Sequence, residues 1–441
     1  MLPLWVSVVA ATALAAPAPG TREQKLQVAQ APNVVLVASD SFDGRLTFQP
    51  GSRVVKLPFI NFMKAHGTTF LNAYTNSPIC CPSRAAMWSG LFTHLTESWN
   101  NFKGLDPNYT TWMDVMEKHG YQTQKFGKLD YTSGHHSVRP FRGRLTYSSD
   151  PLPLMTAITG FPDIQPQSQL RQACLHDCPR FPPDHGEIIL ALRKLDLLQK
   201  TIVIYTSDHG EMAMEHRQFY KMSMYEASAH VPLLMMGPGI KVNLQVPDFV
   251  SLVDIYPTML DIAGLALPQT LSGYSLLGLS SETSANEQTF KIHRPPWILS
   301  EFHGCNVNAS TYMLRTGQWK YIAYSDGASV QSQLFDLSSD PDELTNIATE
   351  FPEITYSLDQ KLRSIINYPK VSASVHQYNR EQFIMWKQSV GQNYSAVIAH
   401  LRWHQDWQKE PWKYEKAIHQ WLTAHSSPRA VDDNKTLSRY I

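Results

Sequence analysis

The stretch Pro32-Asn33-Val34-Val35-Leu36-Val37-Ala38-Ser39-Asp40 decides the fold of this chain. It is a continuous apolar run that ends in an acid, the pattern of a strand buried on both faces in a parallel sheet. Open α/β sheets place their ligands at the carboxyl ends of the strands. Asp40, at the end of this predicted strand, is therefore a candidate site residue.

Strands and helices alternate downstream of this stretch. Helical patterns cover residues 57–66, 112–119 and 188–199, and strand patterns cover residues 121–128, 201–207 and 231–236. Such alternation predicts an α/β fold, a mainly parallel sheet flanked by helices. Near residue 315 the pattern changes to antiparallel strands at 319–324 and 333–337 around an Asp-Gly turn. We therefore predict a main α/β domain over 21–315 and a smaller C-terminal α+β subdomain over 316–441.

Composition points to the secretory pathway and away from nucleic acid. Lys+Arg and Asp+Glu both number 38, so no basic footprint for nucleic acid or an anionic membrane is expected. Residues 1–20 resemble a secretory signal peptide, and no later apolar run is long enough to span a bilayer. Sequons begin at Asn108, Asn308, Asn393 and Asn434, which fits a glycosylated secreted or lysosomal protein.

Cys80-Cys81-Pro82-Ser83-Arg84 precedes a second helix-like run, residues 83–91. A reactive group at Cys80 would lie at a helix N-terminus, where free backbone N–H groups favour an anion. Arg84 would supply a permanent positive charge beside it. The alternative interpretation is a structural cysteine pair in a loop.

Polar groups follow three of the predicted strands, at Asp40, Lys128 and Asp208-His209. The carboxyl ends of parallel strands meet at one edge, so these groups should converge with Cys80. Two carboxylates would favour Ca²⁺ or Mg²⁺ over zinc. Lys128 and Lys221 are candidates to hold an anionic substrate. His209, His216 and His230 are candidates for acid–base chemistry, although His230 fits better as a structural residue at a strand entry.

The Cys80–Arg84 pattern resembles the signature of the sulfatase family, and the resemblance continues along about four fifths of the chain. The matching segments, in order, are Pro32 to Asp40, Leu57 to Asn61, Phe70 to Tyr74, Phe126-Gly127-Lys128, Ser207 to Glu211, Lys221, His230 to Leu233, Asp254 to Thr258, Trp319-Lys320-Tyr321 and Leu334 to Leu337. This resemblance implies an alkaline-phosphatase-like fold and hydrolysis of sulfate esters.

The resemblance also implies a chemistry for each site residue. In the family the signature cysteine, here Cys80, is oxidised to formylglycine by a formylglycine-generating enzyme, and the hydrated aldehyde attacks sulfur. One Ca²⁺ is implied at Asp40, Asp208, His209 and the modified Cys80. Arg84 is the implied catalytic partner, and Lys128 and Lys221 are implied to bind the sulfate. The resemblance is strongest to a lysosomal branch that removes the 2-O-sulfate of glucuronate in glycosaminoglycans, which makes a sulfated glycosaminoglycan or aryl sulfate the expected substrate.

Three departures from the family pattern accompany these matches. Ser41 replaces the second of two paired aspartates, and Asp130 stands where relatives carry a histidine, for which His135 or His136 are candidate substitutes. Residues 139–185 are rich in proline and lack hydrophobic periodicity. The family has a longer stretch here, with a further strand and a substrate histidine. We interpret the chain as a splice variant or mispredicted product that lacks a central block. Cys174 and Cys178 lie in this segment, but their spacing is incomplete for zinc.

Two other functions stay open at this point. The Asp208-His209-Gly210 segment alone would fit a metal-dependent phosphatase or phosphodiesterase, although two-metal phosphoryl transfer uses more ligands than are evident here. The second alternative is a non-catalytic or impaired sulfatase variant with an exposed sheet edge left by the missing block. A serine hydrolase is disfavoured because no G-x-S-x-G elbow is present.

Overall fold

The computed structural model describes residues 6–13, 32–132, 186–281, 294–304, 310–399 and 409–423. Several predicted features lie outside these ranges. They are the sequons at Asn308 and Asn434, the whole Pro-rich segment 139–185 with Cys174 and Cys178, and the candidate substitutes His135 and His136.

Thirteen strands are present in the described residues. They are β1 Val6–Ala13, β2 Asn33–Ser39, β3 Gly67–Tyr74, β4 Tyr121–Phe126, β5 Thr201–Ser207, β6 Met212–Ala213, β7 Phe219–Tyr220, β8 Leu233–Met236, β9 Leu244–Ser251, β10 Trp297–His303, β11 Ser310–Thr316, β12 Trp319–Tyr324 and β13 Gln333–Asp336.

The described α-helices range from one turn to 23 residues. They are α1 Gly51–Val54, α2 Pro58–His66, α3 Cys80–Ser89, α4 Thr93–Thr96, α5 Trp112–Lys118, α6 Gly186–Lys194, α7 Glu226–Ala229, α8 Ile255–Ile262, α9 Leu277–Ser280, α10 Pro352–Ile365, α11 Tyr368–Val390, α12 Tyr394–Ala399 and α13 Pro411–Thr423.

Seven strands form the main sheet in the order β4-β1-β2-β5-β8-β3-β9. The pairs β2–β5 and β3–β9 are parallel, while β8 runs antiparallel to both of its neighbours. The predicted α/β class is confirmed, but the sheet is mixed. The strand predicted at 231–236 runs antiparallel to β5 because the chain re-enters the sheet at the same end where β5 leaves it. A parallel strand would require a crossover to the opposite end.

β1 occupies an interior place in this sheet, antiparallel to β2 on one side and β4 on the other. Its residues belong to the segment predicted as a signal peptide. β2 and β4 therefore run in the same direction with one strand between them. Removal of this segment from the chain would leave a gap one strand wide inside the sheet.

Side chains of β2 alternate between two hydrophobic cores, as expected for a strand covered on both faces. Val34 and Leu36 pack in a core that includes residues of α5 and α8, and Val35 and Val37 pack in a core that includes residues of α2. Helices therefore cover both faces of the sheet. Because both faces are covered, ligands have access at the edge where β2 and β5 end.

The C-terminal part contains a second sheet with the order β10-β11-β12-β13, antiparallel throughout. This sheet begins at Trp297, before the predicted domain boundary at residue 316. The helices α10 and α11 pack on it through Leu358, Leu362 and Tyr368. Trp386 and Trp421 pack between the last helices with Ile418, in a structural role.

A buried acid links the two parts of the molecule. Glu301 of β10 forms an ion pair with His94 of α4, with 2.7 Å between Oε1 and Nδ1, and its other oxygen faces His303 at 3.4 Å. Burial alone would raise the pKa of Glu301, but His94 and His303 lower it to about 2. Burial opposes the charge on His94, yet the carboxylate raises the pKa of His94 above its ordinary 6.5.

Among the residues that the structure describes, no helix combines the length and the apolar character needed to cross a membrane.

Candidate active site

The site is built around the first turn of α3. Cys80 begins this helix directly after Ile79, which has extended backbone, and all ten helical residues are buried. The Cys81 amide donates to the side-chain oxygen of Asn101 at 3.0 Å. Ser83 Oγ donates to the Asp208 carbonyl at 2.5 Å, which fixes the helix start against the end of β5. The sequence predicted this placement of Cys80 at a helix N-terminus.

Four potential metal ligands converge at this helix start. One ligand atom from each of Asp40, Cys80, Asp208 and His209 lies within 4.8 Å of the others. Asp40 follows β2, and Asp208 and His209 follow β5, so adjacent parallel strands deliver these groups to one edge. The convergence predicted from the three strand ends is present in the structure.

The hydrogen bonding of His209 suits metal ligation. Its Nδ1 lies 2.9 Å from the Gly210 carbonyl, which only accepts, so Nδ1 carries the proton. In the neutral ring Nε2 then has the free lone pair, and it lies 3.4 Å from Cys80 Sγ and 3.6 Å from an Asp208 oxygen. Metal-bound histidines are commonly oriented by such a contact from the second ring nitrogen.

Three cations surround Cys80 and the carboxylates. Lys128 Nζ lies 3.0 Å from Cys80 Sγ and 2.9 Å from an Asp40 oxygen, and Lys221 Nζ lies 3.2 Å from the same sulfur. Arg84 is fully buried, with Nε and Nη2 each 2.9 Å from Asp208 Oδ2. Its Nη1 donates to the Lys128 carbonyl at 2.6 Å. The site thus gathers cations and metal-type ligands around Cys80, in direct contact with one another.

This charge pattern shifts the ionisation of the site residues. Burial raises the pKa of the Cys80 thiol, but Lys221, Lys128 and His209 outweigh burial and lower it to about 6. Burial likewise opposes the charge of Asp40, yet Lys128 and Arg84 hold the pKa of that carboxyl far below its usual range. At neutral pH the Asp40 carboxylate is therefore ionised and able to accept a cation.

Other histidines of the sequence prediction take different places. His230 has both ring nitrogens engaged, with the Leu71 carbonyl at 3.0 Å and with Glu226 at 3.2 Å, as a strand-entry residue should. His216 stacks on Tyr225, with 3.8 Å between ring centroids. Neither contacts Cys80 in the hydrogen bonds and ion pairs of the described residues.

Sequence reasoning gave no role to two residues near the site. Asn101 caps the signature helix as described above, and no local pattern marks it. Glu211 directly follows Asp208-His209-Gly210, and its position next to these site residues could have marked it as a site residue. Burial raises the pKa of Glu211, opposed by Lys221, His209 and a hydrogen bond with Ser41. Asp130, which departs from the family pattern, is buried with a left-handed backbone at φ 46°.

Two of the four sequons lie in described segments. Asn108 and Asn393 are both exposed, which leaves room for a glycan on each.

Protein-family models match two parts of this chain. The model described as Sulfatase matches residues 32–150, and the model described as N-sulphoglucosamine sulphohydrolase, C-terminal, matches residues 214–368. The chain is similar to Arylsulfatase K of Mus musculus, with 64% identity over 99% of this chain and 98% of that protein. It is also similar to Arylsulfatase K of Homo sapiens, with 62% identity over 98% of this chain and 100% of that protein.

The alignment with the mouse protein extends over 541 positions, whereas this chain has 441 residues. At least 100 of those positions must therefore be gaps in this chain. The two family models leave residues 151–213 unmatched. That these gaps form one central block before residue 186 stays a prediction.

Solved structures share the fold at low sequence identity. BT4656, solved with its substrate D-glucosamine-2-N,6-O-disulfate, matches with a TM-score of 0.55 and 18% identity over 77% of this chain and 98% of that chain. The phosphonate monoester hydrolase of Agrobacterium radiobacter matches with a TM-score of 0.55 and 18% identity over 76% of this chain and 95% of that chain. Since relatives above 60% identity align with nearly all of this sequence, the chain belongs to the sulfatase family.

Proposed function

We propose that this chain hydrolyses sulfate esters at Cys80, with the 2-O-sulfate of glucuronate in glycosaminoglycans as its substrate. One observation carries the proposal. Cys80 lies at the N-terminus of a buried helix, among metal-type ligands and the cations Arg84, Lys128 and Lys221. The substrate follows from the high identity to Arylsulfatase K, together with the resemblance described for the sequence.

The donor set fits one Ca²⁺ and a formylglycine made from Cys80. Asp40, Asp208 and His209 would hold the ion together with the modified Cys80. The two carboxylates supply the hard oxygen ligands that Ca²⁺ prefers, and Nε2 of His209 has its lone pair available. When bound, the ion withdraws charge from a sulfate oxygen, and the hydrated formylglycine supplies the nucleophile.

The cations of the chain itself would position the substrate. Lys128 and Lys221 approach Cys80 Sγ within 3.2 Å, so both can reach the oxygens of a sulfate placed at this atom. Arg84 is buried against Asp208 and offsets the negative charge of the two acids. The amides at the start of α3 add partial positive charge toward the same point. Together these groups favour a transition state with more negative charge than the substrate.

The proposal also covers the modification, the glycosylation and the location of the chain in the cell. We infer that a formylglycine-generating enzyme modifies Cys80 during biosynthesis. The chain then works in the lysosome or is secreted, with glycans at Asn108, Asn308, Asn393 and Asn434. The apolar N-terminal segment, the sequons and the identity to Arylsulfatase K support this assignment. Immunolocalisation and glycosidase-shift electrophoresis test it, and a purely cytosolic chain without glycans would refute it.

The decisive experiment is desulfation of a 2-O-sulfated glucuronate oligosaccharide by the purified, secreted chain. We expect sulfate release that is lost in Cys80→Ala. In Cys80→Ser a sulfate ester can form but cannot be released by collapse to an aldehyde, so turnover should stop there as well. Normal steady-state turnover by Cys80→Ser would refute the formylglycine mechanism. A phosphate monoester tested in parallel distinguishes the phosphatase alternative.

A second candidate function is supported by the gaps in the alignment. At least 100 positions present in the alignment with the mouse relative have no residue here. A chain that lacks this block could bind sulfated glycans without cleaving them. Soluble, cooperatively melting protein that binds the oligosaccharide but releases no sulfate would identify it as this impaired variant. Transcript or peptide sequencing across residues 138–186 tests whether the block is missing, and a read with the longer block would refute it.

A further inference from the structure

The loop that carries Lys221 is held in a strained conformation. Lys221 lies between β7 and α7, and its two neighbours, Tyr220 and Met222, have left-handed backbone at φ 71° and 73°. Such conformations are unfavourable for residues other than glycine and persist only where the surroundings enforce them. Both neighbours are nearly half exposed.

Two hydrogen bonds to the backbone of this loop provide the restraint. The Met222 amide donates to the Pro78 carbonyl at 2.9 Å, two residues before Cys80. Lys320 of β12 donates from Nζ to the Met224 carbonyl at 2.9 Å. Lys320 is fully buried although it belongs to the C-terminal sheet. The second sheet therefore reaches into the loop that presents Lys221.

Two buried acids complete this contact. Lys320 Nζ lies 2.7 Å from Glu226 Oε1 and 2.7 Å from Glu343 Oε1. The Glu226 amide donates to Glu343 Oε2 at 2.7 Å, so the second acid also holds the start of α7. We call Lys320, Glu226 and Glu343 the brace.

The second oxygen of Glu226 ties the brace to the main sheet. It accepts from the Tyr74 hydroxyl at 3.1 Å and lies 3.2 Å from His230. Burial opposes the charge of Glu226, but Lys320 and His230 lower the pKa of this acid well below its ordinary value. Buried ion pairs gain little net stability, because the desolvation of the charges offsets their attraction. We therefore assign to the brace the placement of the backbone that it contacts, rather than stabilisation of the fold.

We propose that Lys320 is a positioning residue for Lys221, which makes the C-terminal sheet part of the active site. Lys320 fixes the carbonyl of Met224 and the start of α7, and the Met222–Pro78 hydrogen bond fixes the other side of the loop. Lys221 directly precedes Met222, the first of these points along the chain, so the restrained segment 222–226 sets the position from which Lys221 extends toward Cys80. The effect on turnover rests on the proposed function, whereas the restraint on the loop does not.

Hydrogen exchange tests the restraint without any substrate. In Lys320→Met, which keeps the buried length but loses the charge, amides of residues 219–226 should exchange about tenfold faster or more. Exchange in α10, in the same C-terminal part, should stay unchanged. Glu343→Gln removes one charge and serves if Lys320→Met does not fold. Arg294→Met is the matched control, because it breaks another buried ion pair, Arg294–Asp254 at 2.6 Å, away from the loop.

Faster exchange that spreads evenly over the molecule, or a loop that responds equally to Arg294→Met, would overturn the positioning role. Either result would make the brace a general structural contact.

Kinetics on the sulfate ester then test the route through Lys221. Lys221→Met and Lys320→Met should each lower kcat/KM about ten- to a hundredfold. The kcat/KM of the double variant should be no lower than that of Lys221→Met alone. In both single variants the same cation, Lys221, is no longer held beside Cys80. Additive losses would show that Lys320 does not act through Lys221. If the unaltered chain releases no sulfate, the proposed function fails, and the exchange result alone decides the restraint.

Discussion

Replacement of Arg84 tests whether the charges of the candidate site depend on one another. In Arg84→Met the side chain keeps most of its buried length but loses the two 2.9 Å approaches to Asp208, the bond to the Lys128 carbonyl and the 3.8 Å ion pair with Asp40. Asp208 is fully buried, so its carboxylate would be left without its closest cation. Removal of one partner from a buried pair costs about 3–5 kcal/mol.

The assay is reversible urea unfolding in the presence of a calcium chelator, so that no bound ion replaces the lost cation. We expect Arg84→Met to lose about 3–5 kcal/mol of unfolding free energy. Arg84→Lys should lose less, since it keeps the charge without the planar fork. Asp208→Asn and the double variant complete a double-mutant cycle.

The double-mutant cycle shows whether the charges of Arg84 and Asp208 depend on each other. The double variant should be more stable than the sum of the two single losses predicts, because each single change leaves one buried charge unpaired. Additive losses, or an Arg84→Met variant as stable as the unaltered chain in chelator, would refute the argument that these charges compensate each other.

Three further predictions concern the metal, pH and the N-terminal strand. In scanning fluorimetry, Ca²⁺ at about 100 times its dissociation constant should stabilise the chain by roughly 2.7 kcal/mol, and no such gain should occur in Asp208→Asn. The His94–Glu301 pair stabilises the fold above pH 4.5 and below pH 6.5, and is lost as pH falls toward 2 or rises through the raised pKa of His94. His94→Gln should flatten this part of the pH–stability profile, and an unchanged profile would contradict the pairing. Residues 6–13 pair with β2 and β4, whereas cleavage of a signal peptide would remove them from the secreted chain. Deletion of residues 1–31 from a chain that retains them should lower the unfolding midpoint; an unchanged midpoint would exclude β1 from the sheet and favour the signal-peptide assignment.

The local patterns of the sequence predicted the parts of the fold that depend on neighbouring residues. The apolar run before Asp40 and the run over 201–207 became adjacent parallel strands, because each is a buried strand in any α/β arrangement. The Cys80 motif marked the helix start, and the strand ends marked the metal-type ligands.

Only the tertiary structure decided which distant residues act together. The antiparallel course of β8 and the place of β1 depend on how the chain returns to the sheet, which no local period encodes. Asn101 at the start of α3 and Lys320 in the brace come from segments with no motif for these contacts. Their roles arise from packing between elements far apart in sequence, and the energy of such contacts depends on burial that the sequence alone does not specify. The chemistry of Cys80 was evident in its neighbours along the chain, while the support for Lys221 was created by the fold.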